Sequence, residues 1–132
     1  VEPILDLDSC AREIESRRAE WVRAGLTVGP LTWRDAAEPW PWPLHTDRAA
    51  VGDPDSVGVM LDYEDGPAGS IVLFRGGWAD VDLLDLTANE VITSAPEVPT
   101  PAAFAAVLNA ATHHLLRPLS GAWGPGQRRG TE

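Results

Sequence analysis

Between Val57 and Thr93 apolar residues return at nearly every second position, in runs divided by short turns rich in glycine and acid. A period of two sends successive side chains to opposite faces of an extended chain, so the stretch predicts strands rather than helix. Val57, Val59, Leu61 and Tyr63 share the buried face of a first strand, and Glu64, Asp65, Gly66 and Pro67 make the turn after it. Residues 70–75 are apolar on both faces, which predicts a central strand. Gly76 and Gly77 turn the chain into 78–86, where Ala79, Val81 and Leu83 point one way and Asp80 and Asp82 the other. After a turn at 87–90, Val91, Ile92 and Thr93 form a fourth short strand. The runs predict an antiparallel meander.

Helices flank it. Residues 7–24 carry Leu7, Cys10 or Ala11, Ile14 and Trp21 on one stripe, with Asp8 or Ser9 as the expected cap and Gly25 as the stop. Near the other end, Thr100 is the expected cap and Pro101 the first helical residue. Phe104, Val107, Leu108, Ala111 and Leu115 form the apolar stripe, and Pro118 ends the helix. Between the first helix and the meander, 27–28 and 31–33 read as a short strand around Gly29 and Pro30. Alternating prolines at 39, 41 and 43 predict an extended, polyproline-like segment across a surface, and 52–56 a turn. The expected fold is α+β: a single-layer antiparallel sheet of about four strands, with N- and C-terminal helices packed on one face. The expected organisation is one domain over 1–119 and a flexible tail over 120–132, from which only Trp123 has bulk to bury.

Composition narrows the function classes. Twenty Asp and Glu face ten Arg with no Lys, a formal charge of −10, which disfavours nucleic acid and anionic membrane surfaces as partners and favours cationic ones. No apolar run approaches the ~20 residues of a membrane span, and residues 1–6 lack the basic and apolar parts of a signal peptide. Val1 stands where an initiator methionine would, which leaves room for an upstream segment. With a single cysteine the expected compartment is the cytoplasm. Composition does not separate monomer from homodimer.

No catalytic set is legible. Cys10 lies on the apolar stripe of the first helix, where a buried inert thiol is expected. The chain has no Gly-x-Ser-x-Gly elbow, and without lysine no Walker loop. His113 and His114 are neighbours on a helix, point about 100° apart and do not clamp one metal. His45 leaves open an acid–base pair with an aspartate. Neither a metal nor another cofactor is expected.

Two features suggest binding. Asp80, Asp82 and Asp85, with Asp62, Glu64 and Asp65 one hairpin away, form the densest acidic cluster. It reads as a surface for a basic partner or as a plain solvated face, and strand alternation spreads the carboxylates too widely for a metal. Trp40 and Trp42, on the proline-stiffened segment, are candidate anchors of which one is expected to pack inward, and Trp78 is a third.

A small acidic helix–strands–helix chain of this kind, over about 7–116 with Trp78–Asp85 as its most distinctive run, resembles the immunity proteins of bacterial polymorphic-toxin systems. The resemblance implies an inhibitor that binds and neutralises a cognate toxin, a basic domain, through an acidic surface containing tryptophan. The same order of elements resembles secretion-chaperone-like and YbjN-like domains, which implies an adaptor binding a client segment.

Overall fold

The computed structural model describes residues 5–121, with 118–121 as backbone only. The first helix, α1 (Leu7–Arg23), is capped two residues before the earlier of its expected caps. Asp6 is the cap, its carboxylate accepting from Asp8 N–H at 3.1 Å and from the Ser9 hydroxyl at 2.9 Å. Asp8 is thereby left to pair with Arg48, which holds its carboxyl below the usual range. Gly25, at φ +105°, reverses the chain after the helix.

Seven strands follow in one antiparallel sheet, not about four: β1 (Thr27–Val28), β2 (Thr32–Asp35), β3 (Leu44–His45), β4 (Pro54–Tyr63), β5 (Gly66–Phe74), β6 (Trp78–Asp85) and β7 (Glu90–Ser94). The meander 57–93 is present as expected. Two of the additional strands are the short strand expected at 27–28 and 31–33, and the third follows the proline-rich segment. β1 and β2 both pair with β4, as one strand interrupted at Gly29 and Pro30, and β3 folds back on β2 (Trp33 opposite His45, Arg34 opposite Leu44). The segment between β2 and β3 is therefore a hairpin loop. It bends at Glu38, Trp40 and Pro41, with a cis Trp40–Pro41 peptide, because it must reverse direction instead of crossing a surface in extended form. Likewise the 52–56 turn is shorter than expected, since β4 already starts at Pro54.

The sheet order is β3-β2-β4-β5-β6-β7, so β5 lies between β4 and β6. A bulge between Leu61 and Asp62 sets Ala68 as the extra residue of β5, the irregularity at which Pro67 fits a strand interior. After β7, α2 (Pro101–Gly121) packs against α1 and against β6. Thr100 caps it, accepting from Ala103 N–H at 3.0 Å. Pro118 was expected to end this helix, and the backbone stays helical to Gly121. A proline removes one hydrogen bond and bends a helix without having to terminate it. The helix thus crosses the 119/120 boundary drawn from the sequence. The remaining tail, with Trp123, lies outside the described residues.

Both helices cover the same face. Val57, Val59, Leu61, Ile71, Leu73, Ala79 and Val81 point into a core closed by Ile14 and Trp21 of α1 and by Phe104, Leu108 and Leu115 of α2. Polar bonds tie the helices to each other and to the sheet: Trp21 Nε1 donates to Thr112 Oγ1 at 2.9 Å, and Tyr63 hydroxyl donates to Leu115 O at 3.0 Å. Among the described residues no helix is long and apolar enough to cross a membrane.

Cys10 is fully buried in this core, and burial pushes its thiol up to about 11, with Asp6 and Glu13 adding to the shift. The native protein is expected to react with a thiol reagent at neutral pH at least about a hundredfold more slowly than the urea-unfolded chain. Equal rates, followed by absorbance of the released chromophore, would contradict the buried placement.

Candidate binding face

Cross-strand register assigns the residues of the sheet face that, among the described residues, no helix covers. At one end, Leu44, Arg34, Ser56, Phe74 and Trp78 lie side by side across β3, β2, β4, β5 and β6. Next come Thr32, Gly58, Val72 and Asp80, then Met60, Ser70, Asp82 and Thr93. Asp62, Leu84 and Val91 complete the opposite end, roughly 20 Å along β4 from Ser56.

The first end is aromatic. Trp78 stacks on Phe74 with ring centroids 4.1 Å apart and planes 17° off parallel. Arg34 lies 4.3 Å from the Trp42 ring centroid and 5.7 Å from that of Phe74, and Trp40 meets Trp42 edge-on at 5.0 Å. The result is a ladder Trp40–Trp42–Arg34–Phe74–Trp78. Arg34 is fixed by Asp55, which also lies beside Arg75. The expectation that one of Trp40 and Trp42 packs inward is not met: they are 75% and 43% exposed. The hairpin loop that carries them sits beyond the core, and the layer beneath that end of the sheet is filled by Trp33, only 3% exposed, which alternation sends to the helix side.

The acidic residues divide. Asp62, Asp80 and Asp82 stand on the open face, but Asp62 is separated from the other two by β5, about 10 Å between backbones. A cation held at ~2.3–2.6 Å from several oxygens needs closer convergence, and among the described residues no three His, Cys, Asp or Glu groups are placed to hold a metal. Asp82 accepts from Thr93 Oγ1 at 2.8 Å. Asp85 does not belong to the row. Alternation turns it to the other side, where its carboxylate accepts from the N–H groups of Thr87 and Ala88 at 3.0 and 3.3 Å and shapes the β6–β7 turn. Glu64 and Asp65 are exposed at the β4–β5 turn, on the rim near Asp62.

Arginines pair with other carboxylates. Arg17 and Arg18 pair with Glu13 and Glu15 on α1, Arg48 with Asp8, and Arg34 and Arg75 with Asp55 and Asp53. Among the described residues, Asp62, Asp80 and Asp82 have no cationic partner. On the open face Asp62, Asp80 and Asp82 are thus unpaired, while Arg34, at its aromatic end, is held by Asp55.

Compared with protein-family models, curated proteins and solved structures, the chain matches none of them.

Histidine placement differs in kind. His113 is exposed and His114 is half-buried, 2.9 Å from Leu84 O, as adjacent helix positions dictate. His45 has an acidic partner, Glu38 at 2.6 Å, rather than an aspartate. The pair bridges the ends of the β2–β3 loop. His45 shares the helix-side parity of Trp33, so this pair lies away from the open-face carboxylates.

Arg34, Phe74, Met60, Leu84 and Val91 also line the open face, though sequence reasoning did not select them. Their signal was the double-sided apolarity of the strands, which reports an apolar outer face as readily as a second covering layer.

Proposed function

We propose that this protein is an immunity-type inhibitor that binds a basic toxin domain of bacterial origin with the uncovered face of its sheet and neutralises it by occlusion. The observation that carries the proposal is the juxtaposition on that face of exposed aromatic rings with carboxylates lacking internal counter-charges. Aromatic side chains fixed by stacking lose little entropy on association and supply anchor area. Unpaired carboxylates draw in a cationic surface and set its orientation. The fully exposed edge strand β7 favours a second reading, an adaptor that adds a client strand to the sheet, in which binding depends on backbone pairing along Glu90–Ser94 and not on the aspartates.

Affinity capture from the organism of origin, followed by co-expression of the captured protein, tests the first reading. The expected result is a protein with a toxic domain whose toxicity disappears when this chain is present. A partner without toxicity, or toxicity that persists in its presence, overturns it. With that partner in hand, Asp80→Asn combined with Asp82→Asn is expected to slow association roughly tenfold at low salt and hardly at all at about 0.5 M salt. Unchanged stopped-flow rates at low salt would remove the electrostatic part.

A further inference from the structure

At the acidic end of the open face a groove of about 280 Å³ runs between β4 and β7, walled by Met60, Pro67, Leu84 and Val91 and flanked by Asp62 and Asp82. Its surface is mainly carbon. The volume falls below the ~300–1,000 Å³ of sites for drug-sized ligands, so it suits one long side chain better than a cofactor. Both carboxylates lack a cationic partner among the described residues, and the Thr93 hydroxyl bond to Asp82 Oδ1 leaves Oδ2 without a protein donor. An apolar trough with carboxylates at its margins matches an aliphatic stem that ends in a cation.

We infer that this groove receives the side chain of an arginine or lysine from the basic partner, with the stem along Met60, Leu84 and Val91 and the charged head between Asp62 and Asp82. The inference rests on the inhibitor reading for the identity of the partner, while the groove chemistry stands by itself. A planar guanidinium offers several donors to two separated carboxylates, so arginine binds more tightly than lysine. Ordinary surface carboxylates would attract cations without regard to the stem; the apolar walls give the opposite expectation.

The test is a nuclear magnetic resonance titration of the intact protein with N-acetyl-arginine methylamide and with its lysine, citrulline and norleucine counterparts. The arginine probe is expected to saturate in the millimolar range and to shift amides at Met60, Ser70, Asp82 and Val91. The citrulline and norleucine probes, which keep the stem and lose the charge, are expected to bind at least tenfold more weakly. Guanidinium ion alone, lacking the stem, is also expected to be at least tenfold weaker. Asp62→Asn with Asp82→Asn, both on the surface, should weaken the arginine probe about tenfold.

Citrulline binding as well as arginine, guanidinium ion binding as well as the full probe, or shifts spread evenly over acidic sites such as Glu20 on α1 would each overturn the inference. The wild-type titration decides even if the double variant does not fold. Because no toxin takes part, a silent groove leaves the inhibitor reading intact with its contacts elsewhere. A responsive groove combined with failed toxin neutralisation overturns the inhibitor and keeps the groove.

Discussion

Trp21→Ala is expected to remove about 3–5 kcal/mol of stability, the range for deleting a large buried aromatic side chain. Trp21 is completely buried on α1, and its indole N–H bonds to Thr112 of α2, whose hydroxyl in turn donates to Leu108 O at 2.7 Å. The substitution opens a cavity between both helices and the sheet and leaves Thr112 with one bond fewer. Against a total of about 5–15 kcal/mol for an ordinary domain, such a loss takes much of the margin. Thermal unfolding should shift down by roughly 10–20 °C. Trp21→Phe keeps most of the volume and loses the indole bond, with an expected cost nearer 1–2 kcal/mol. Urea titration separates the two variants, and a cost below about 1 kcal/mol for alanine would show that this contact does not hold the helices together.

Trp78→Ala is expected to have the largest effect on partner binding and a small one on folding. The ring is 42% exposed, yet its stacking on Phe74 fixes it in one orientation at the aromatic end of the open face. Removing an anchor of this type typically costs at least 2 kcal/mol, about thirtyfold in affinity, mainly as faster dissociation. Losing the stack costs the fold only about 0.5–1.5 kcal/mol. Val22→Ala supplies the control, since Val22 is also exposed but lies on α1, away from the sheet face. Calorimetric titration against the toxin domain should show Trp78→Ala weak and Val22→Ala unchanged. The reverse order would move the interface to the helical side.

Both positions show how far local pattern carries. The stripe Leu7–Cys10–Ile14–Trp21 placed Trp21 in the core before any contact was known, because a helix presents that spacing on one side. The alternation in Trp78–Asp85 put Asp80 and Asp82 on one face for the same kind of reason, and the structure keeps them there and adds Trp78. Asp85 has its place in the cluster only on the linear map: parity and the turn remove it. Trp40 and Trp42 defied expectation because hydrophobicity alone suggested cover, whereas their loop reverses between β2 and β3 outside the core. Of the three extra strands, β1 and β2 match the short strand expected around Gly29 and Pro30, and only β3 was hidden. A two-residue strand is too short to show a period and is held by its pairing with β2.

The sequence by itself determined the two helices, the central meander and which side of each long strand is buried, since these follow from local periodicity. It also determined the formal charge of −10. Only the tertiary structure decided that β5 separates Asp62 from Asp80 and Asp82, that Arg34 slots between Trp42 and Phe74, and that Arg48 and Arg75 pair with Asp8 and Asp53. Those facts depend on which strands neighbour one another, and strand order is fixed by burying all the apolar faces together under two helices, a condition on the whole chain that no single segment carries.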